Sequence, residues 1–201
     1  MPEPSLWAVE WRRGDETLTA IEPSADEVRR AAPALAAYYN DAHNRRMMAH
    51  EDDPFDAADV VAYYHQLRDG GGRPFLLQRE GVLLGDADFR HPEAATAEFA
   101  IMIGDRATQG RGLGTRFGLM LHAFGFQVLG LERVYISVIP ANAPSRALFQ
   151  RLGYQVDDSP AARALIDDAS DVTLSLARPS FAEAWRVETA AIRCFPRPQA
   201  S

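Results

Sequence analysis

The stretch AEFAIMIGDRATQGRGLGTR, residues 97–116, decides the fold. Its apolar run, residues 99–103, predicts a buried strand because it is short and contains β-branched residues. A glycine-rich corner at 109–114 follows, and beyond it apolar residues recur every three or four positions, as on one face of a helix. A strand that turns through glycines into a helix predicts an anion-binding site, because the first N–H groups of a helix have no partners within it.

The spacing of the glycines excludes two common phosphate-binding loops. A dinucleotide-binding loop requires G-x-G-x-x-G, but Gly110, Gly112 and Gly114 occupy alternate positions. A P-loop ends in Gly-Lys-Ser/Thr, and the sequence contains no lysine. The pattern that does fit is Q-x-x-G-x-G, which begins at Gln109.

Three motifs in this order resemble the GCN5-related N-acetyltransferase (GNAT) superfamily. After the Q-x-x-G-x-G corner comes a strand-like run at 133–138, then N-x-x-S from Asn142 to Ser145, and then L-G-Y at 152–154. The resemblance covers residues 95–156 closely and is nearest to the ribosomal-protein N-terminal acetyltransferase (RimJ/RimL-like) branch. It implies an α/β (α+β) GNAT fold: one mixed, twisted sheet, splayed between two central parallel strands, with helices on both faces. The alternative is an ordinary α/β domain with a glycine-rich turn.

The resemblance also implies acetyl-CoA as co-substrate. Backbone groups of Met102 and Ile103 would hold the pantetheine arm and polarise the thioester carbonyl, an oxyanion-hole role. The remaining expected coenzyme contacts come from the corner and from the last helix motif: Gln109, Gly110, Arg111, Gly112, Leu113, Gly114, Thr115, Asn142 and Ser145.

The expected reaction is direct attack of a primary amine on the acetyl group in a ternary complex. Glu98 is the candidate base, because it stands eleven residues before Gln109, where histone-type members of the superfamily carry a glutamate. The alternative is a strand-edge carboxylate paired with an arginine. Ser145 would meet the coenzyme sulfur, or would only cap its helix. Phe149 stands where many members carry an acid-donating tyrosine, so a non-catalytic coenzyme-A-binding module is a competing hypothesis.

Composition limits the wider possibilities. The 201 residues predict a single domain, 1–201. The resemblance implies an acetyltransferase, which we expect to be a monomer or a homodimer. A net charge of −7 argues against nucleic-acid binding, and no apolar run is long enough to span a membrane. One cysteine and no signal peptide predict a cytoplasmic protein. Abundant alanine and a basicity made entirely of arginine favour a bacterial source.

Two acidic segments bear on the acceptor amine. The resemblance places segments 40–59 and 155–171 around the acceptor, where their carboxylates would attract a cationic amine. A peptide or protein N-terminal α-amine is the first expectation, and a polyamine or an aminoglycoside is the alternative. The alternative is that these carboxylates are simply exposed to solvent and play no part in binding the amine. His43 and His50 lie among them, but no metal site is expected, because no H-x-x-x-H pattern or cysteine accompanies them.

Outside the motifs, the chain predicts ordinary elements. Ser24 and Glu27 have the spacing of a capping box, so a helix should run to about residue 39, with a kink or break at Pro33. Segment 40–59 has no clear period, and 181–192 predicts a terminal helix.

Overall fold

A computed structural model describes residues 5–48, 53–93, 95–164 and 171–198. The strands are β1 Trp7–Arg13, β2 Glu16–Ile21, β3 Arg73–Arg79, β4 Val82–Glu93, β5 Thr96–Ile103, β6 Arg133–Val138, β7 Gln155–Val156, β8 Val172–Ala177 and β9 Ile192–Pro196. The helices are α1 Ala25–Asn40, α2 Ala42–Met48, α3 Ala57–Asp69, α4 Leu113–Gln127, α5 Ala143–Leu152, α6 Pro160–Arg163, α7 Arg178–Ala184 and α8 Arg186–Thr189.

All nine of these strands form one sheet, in the order β7-β8-β6-β5-β4-β3-β2-β1-β9. The central pair, β5 and β6, runs parallel, and the other neighbouring strands run antiparallel. The sheet is therefore mixed, with its parallel step between β5 and β6, as the sequence predicted.

Helices cover both faces of the sheet, which confirms the predicted layers. On β3, Phe75 and Leu77 point into the main core, which α4 fills with Phe117 and Phe124. Leu76, between them, packs instead with a second cluster formed by α1 and α3. Successive residues of a strand point to opposite faces, so the two clusters lie on opposite sides of the sheet.

The first helix begins as its sequence predicts. The Ser24 side chain accepts from the Glu27 N–H, and the Glu27 carboxylate accepts from the Ser24 N–H at 2.7 Å. Of the kink or break predicted at Pro33, the break is wrong, because α1 runs through this residue to Asn40. Packing of the α1 face that includes Ala32 and Leu35 against α3 outweighs the single N–H that proline lacks.

Two further expectations are corrected. Segment 40–59 contains α2, whose first turn is held by the Asp41 carboxylate through the N–H groups of His43 and Asn44. The predicted terminal helix is two short helices, and the chain then ends in β9, which pairs with β1. Of the helices in the described ranges, none is both long and apolar enough to cross a membrane.

Candidate active site

The parallel strands β5 and β6 separate soon after they meet. Their register pairs run from Thr96 with Arg133 to Glu98 with Tyr135, while β5 stays paired with β4 as far as Ile103. Two cavities, of about 420 Å³ and about 650 Å³, lie along the resulting gap between β5 and β6. They share one wall, formed by Met47, Met48, Ile101, Met102, Asn142 and Ser145. The splay expected from the sequence is present, and it joins the two cavities.

The larger cavity, called here the glycine-side cavity, lies at the N-terminus of α4. Gly112 is the N-cap, with φ 75° and no side-chain capping bond. The first hydrogen bond at this end of the helix joins the Arg116 N–H to the Gly112 carbonyl at 3.1 Å. The N–H groups of Leu113, Gly114 and Thr115 thus precede the helical ladder, and all three residues line the cavity.

Two glycines of the corner leave open space beside the backbone. Gly110 and Gly112 both have positive φ, 72° and 75°, and a Cβ added to either would meet no atom within 4 Å. The space beside the backbone is therefore open to a ligand. Gly114 differs, because a Cβ there would lie 2.5 Å from Cδ1 of Leu148 on α5. Its small size allows α4 to approach α5 closely.

Gln109 fastens the corner from behind. Its side-chain amide donates to the Ile103 carbonyl at 2.6 Å and to Oδ1 of Asn44 at 2.9 Å, and its Oε1 accepts from Arg106. Asn44 is buried in α2 and also donates to the Gly104 carbonyl at 3.0 Å. The Gln109 side chain thus ties the loop to β5 and α2.

Positive charge comes to this cavity from arginines that the motifs did not indicate. Arg106 and Arg151 line it, and Arg151 donates to the Thr115 hydroxyl at 3.4 Å. Arg116 forms an ion pair with Glu16 on β2 instead. Arg111 is exposed, and it lies outside the described walls of both cavities.

The shared wall contains the two residues predicted from the N-x-x-S motif. Asn142 is the N-cap of α5: its Oδ1 accepts from the Ser145 N–H at 3.0 Å, and its amide donates to the Met47 carbonyl at 2.8 Å. Ser145 is therefore not the cap, and it lines both cavities. The capping role left open for Ser145 belongs to Asn142.

The smaller cavity, called here the tyrosine-side cavity, contains a buried carboxylate that sequence reasoning missed. Asp86 on β4 is 8% exposed and accepts hydrogen bonds from the hydroxyls of Tyr39 and Tyr64. Burial raises the pKa of Asp86 to about 6, although the two hydroxyls partly oppose this rise. Burial and the nearby Asp86 charge raise the pKa values of both tyrosines well above their ordinary value, so both hydroxyls stay protonated.

A second carboxylate on the same strand, that of Asp88, is paired with an arginine. Asp88 accepts two hydrogen bonds from Arg90, at 2.7 and 3.0 Å, and a third from the Tyr63 hydroxyl at 3.3 Å. Burial alone would lower the pKa of Arg90, but Asp88 and, more weakly, Glu98 outweigh it and raise this pKa. Asp88 and Arg90 therefore form a charged pair in the cavity wall.

Glu98 also lines the tyrosine-side cavity, opposite Arg90 in the register of β4 and β5. The structure therefore permits both sequence interpretations of Glu98, since the carboxylate borders the cavity and has an arginine as its neighbour. Across the gap, the Ser137 hydroxyl donates to Asp171 at 3.2 Å. The other oxygen of Asp171 is buried and has no hydrogen-bond partner among the described residues.

The carboxylates of the two acidic segments mostly serve the local backbone. Asp56 caps α3 together with Asp59, and Asp157 accepts from the Ser159 N–H. Asp171 is the exception, since it lines the cavity. His50, Glu51, Asp52, Asp167 and Asp168 lie outside the described residues. Within the described ranges, no three histidine, cysteine or acidic side chains form a group that could hold a metal ion.

A sequence model of one family, the acetyltransferase (GNAT) domain, matches residues 18–155. The chain belongs to the GNAT family. The match runs along the chain from within β2 to β7, and it includes the glycine corner and every described lining residue of the two cavities except Asp171. The superfamily inferred from the motifs is thus confirmed.

Among curated proteins, the GNAT chain is similar to spermidine N(1)-acetyltransferase of Escherichia coli strain K12. They are 28% identical over 111 residues, which is 53% of this chain and 59% of the relative, so the similarity spans little more than half of that enzyme.

Among solved structures, Mycobacterium smegmatis RimJ in complex with CoA-disulfide matches with a TM-score of 0.68 and 17% identity, covering 92% of this chain and 96% of RimJ. Vibrio cholerae spermidine N-acetyltransferase, in complex with CoA and spermine, matches with a TM-score of 0.63 and 18% identity, covering 82% and 97%. At these identities the similarity shows the fold.

Sequence reasoning missed the carboxylate-tyrosine cluster of this GNAT domain. The available signal was the run Gly-Asp-Ala-Asp-Phe-Arg at 85–90, where acids alternate with the buried residues Ala87 and Phe89. Such alternation usually indicates a strand with one solvated face. Here α1 and α3 cover that face and bring Tyr39 and Tyr64 over it, which a strand pattern alone cannot reveal.

Proposed function

We propose that this protein is an acetyl-CoA-dependent N-acetyltransferase that acts on a primary amine. One observation carries the proposal: a glycine corner suited to a diphosphate and a carboxylate-lined cavity suited to an amine open onto one gap and share the wall at Met102 and Ser145. A donor held at the first and an acceptor held at the second would meet at this wall. Direct attack in a ternary complex needs that arrangement.

The residues of the glycine-side cavity would hold the coenzyme. The N–H groups that begin α4 would bind the pyrophosphate, with positive charge from Arg106 and Arg151. When bound, acetyl-CoA supplies the acetyl group as a thioester. Beyond Glu98, the edge of β5 no longer pairs with β6. We propose that the backbone of Met102 and Ile103 on this edge pairs with the pantetheine arm and polarises the thioester carbonyl.

The acceptor would enter the tyrosine-side cavity. Four acidic side chains line this cavity, against one arginine among the residues that the structure describes there: Asp86, Asp88, Glu98 and Asp171, against Arg90. Such a balance favours a cationic amine. The lining also includes Phe55, Phe99 and Phe149, which suit the apolar part of an acceptor.

A peptide or protein N-terminal α-amine is the first acceptor to test. At pH 7 its deprotonation costs about 1.4 kcal/mol, whereas a lysine-like amine costs about 4.6 kcal/mol, so the α-amine needs the weaker base. The N-x-x-S motif and the RimJ among similar structures agree with this choice. A polyamine or an aminoglycoside is the second candidate, which the number of carboxylates and the spermidine-acetylating relative favour.

The chain's own residues would also manage the protons. Two carboxylates of the cavity, Glu98 and Asp86, are candidates for the amine proton. Ser145, free of the capping role, is the candidate hydroxyl for the departing sulfur, because Phe149 offers no proton at the position where many relatives carry a tyrosine. We further propose a single domain over residues 1–201 that acts as a monomer or homodimer in the bacterial cytoplasm.

The test combines binding and turnover. Calorimetry measures acetyl-CoA affinity, and a thiol-release assay measures kcat/KM for neutral, cationic and anionic amines at low and high salt. We expect a preference for cationic amines that weakens with salt. Binding without thiol release on any amine would support the non-catalytic module instead, and no binding would exclude both functions. A preference for anionic amines would contradict the proposed acceptor class.

A further inference from the structure

Among the three carboxylates of β4 and β5 that line the tyrosine-side cavity, the register of the sheet fixes which one is closest to the expected thioester position. Asp86 on β4 is the cross-strand partner of Met102 on β5, Asp88 is the partner of Ala100, and Arg90 is the partner of Glu98. Cross-strand partners have Cβ atoms about 4.5–5.5 Å apart. Asp86 is therefore directly beside Met102, where the two cavities share a wall.

Glu98 lies further along the strand. It is four residues from Met102, which corresponds to about 13 Å at about 3.3 Å per residue. Glu98 is also the last residue of β5 that pairs in register with β6, so it stands at the closed end of the gap. A base at Glu98 would need to reach past Ala100 to an amine beside Met102.

The charge environment also distinguishes the two carboxylates. Arg90 binds Asp88 with two hydrogen bonds and has Glu98 as its cross-strand neighbour. The hydrogen-bond partners of Asp86 among the described residues are two neutral hydroxyls, from Tyr39 on α1 and Tyr64 on α3. A proton can therefore be added to Asp86 without first breaking an ion pair.

We propose that Asp86, and not Glu98, accepts the proton of the acceptor ammonium, with Tyr39 and Tyr64 as positioning residues. The inference rests on the proposed acetyltransferase function and deepens it by assigning the base. The elevated pKa of Asp86, about 6, agrees with the assignment, because a carboxylate closer to neutrality takes a proton from an amine more readily.

The proton balance is complete without any further reactant. One proton passes from the ammonium group to the Asp86 carboxylate, and the neutral nitrogen then forms its bond to the acetyl carbon as the carbon–sulfur bond breaks. The second nitrogen proton leaves with the sulfur, which Ser145 borders, and gives a free thiol. Asp86 then returns its proton to solvent, so one proton is released for each amide formed.

Several neighbours influence the titration of Asp86. The titratable and charged groups around this cavity are Tyr39 on α1, Tyr63 and Tyr64 on α3, Asp88 and Arg90 on β4, Glu98 on β5, and Asp171 across the gap. Of the direct hydrogen-bond donors, Tyr64 is the simplest to remove. Because its hydroxyl stabilises the ionised carboxylate, Tyr64→Phe should raise the pKa of Asp86.

The experiment measures kcat across pH 5–9, with acetyl-CoA affinity, for the wild type and four variants of the full chain. In the wild type, kcat should fall as pH drops below about 6, and this fall is called here the acid limb. Asp86→Asn should lower kcat by about 10²–10⁴-fold and abolish the acid limb. Its acetyl-CoA affinity should stay within about twofold of the wild type. Glu98→Gln should keep the limb and lose at most about tenfold in kcat. Tyr64→Phe should move the limb to higher pH.

Asp26→Asn makes the same chemical change on the exposed face of α1, where Asp26 pairs with Arg29, and should match the wild type. If the wild type is active and Asp86→Asn keeps its kcat and its acid limb, this inference is overturned but the proposed function is not. Loss of the limb in Glu98→Gln also overturns it. If Asp86→Asn fails to fold, an unmoved limb in Tyr64→Phe overturns it. A wild type that releases no thiol on any amine overturns the proposed function as well.

Discussion

The side-chain amide of Asn142 donates to the backbone carbonyl of Met47 at 2.8 Å and so joins the start of α5 to the end of α2. The same side chain caps α5 through the Ser145 N–H. Asn142 thereby fixes the wall that the two cavities share.

The two bonds of Asn142 can be separated by substitution. Asn142→Asp keeps the capping acceptor but cannot donate to Met47, whereas Asn142→Ala loses both. We expect Asn142→Ala to lower the free energy of unfolding by about 0.5–2 kcal/mol and Asn142→Asp to lower it less. Both should weaken acetyl-CoA binding. Urea unfolding and calorimetry test this, and an Asn142→Asp variant with wild-type affinity would show that the contact with Met47 does not matter for the coenzyme.

Substitutions at the two glycines of the Q-x-x-G-x-G motif should be harmful for different reasons. Gly112→Ala fills open space beside the backbone at positive φ, so it should weaken acetyl-CoA binding and lower stability by about 1–2 kcal/mol. Gly114→Ala pushes on Leu148, so it should lower stability. Adding Leu148→Val to Gly114→Ala should restore part of that stability. The same second change should not rescue Gly112→Ala, and thermal melts with calorimetry would reveal any such rescue.

Gln109 should hold the glycine corner against β5 and α2, and its amide N–H donors should be essential for this. Gln109→Ala removes the bonds to Ile103 and Asn44, and Gln109→Glu removes the donors but keeps the size. We expect both variants to weaken acetyl-CoA binding by a similar factor, and by less than Gly112→Asp does. Calorimetry decides. Normal affinity in Gln109→Glu would mean that side-chain size alone holds the loop.

Asp86 should reduce stability at neutral pH. Because its folded pKa, about 6, exceeds the ordinary value of 3.8, the native state binds the proton more tightly, and stability rises as pH falls from about 6 to about 4. Asp86→Asn keeps an acceptor for the tyrosines without the buried charge, so it should be more stable than the wild type at pH 8, by on the order of 2–3 kcal/mol. This advantage should vanish near pH 4. An advantage that persists unchanged at pH 4 would contradict this account.

His122 should give the opposite pH dependence. Its Nδ1 lies 2.7 Å from the Gly118 carbonyl, so it carries the proton, and Nε2 accepts from the Tyr154 hydroxyl at 2.5 Å. Burial lowers the pKa of His122 to about 4, so stability is lost as pH falls from about 6.5 to about 4. Tyr154→Phe should cost about 1–3 kcal/mol at pH 7 by leaving Nε2 unpaired. His122→Leu with Tyr154→Phe should recover part of this loss, and urea unfolding at pH 7 and pH 5 measures both effects.

The chain's local patterns predicted the centre of the sheet and the first helix. Apolar runs located β5 and β6, and the capping box located α1, because each signal lies within a few residues of the element it specifies. The last strand, β9, was not predicted, because the sequence indicated a helix up to residue 192 and no element beyond it. Its five residues are held by pairing with β1, more than 170 positions away, and no local pattern carries that information.

The site divides in the same way. The corner at 109–115 was predicted because its glycines and its helix N-terminus are adjacent in sequence. The cluster around Asp86 was not, because its tyrosines come from two helices, 47 and 22 positions before it. Arg106 and Arg151 reach the glycine-side cavity from outside the glycine motif, whereas Arg116, two residues after its last glycine, pairs with Glu16 on β2.

β5 and β6 pair over only a short stretch, and this has a consequence for the protein without bound coenzyme. The paired stretch is called here the seam. Six strands lie on one side of this seam and three on the other, and the residues beyond Glu98 present two facing strand edges inside the sheet. Open edges accept extended chains. A coenzyme arm that fills the gap would therefore act as a removable strand, so we expect amide hydrogens at 99–103 to exchange more slowly with deuterium, and heat-induced aggregation to fall, when acetyl-CoA is present.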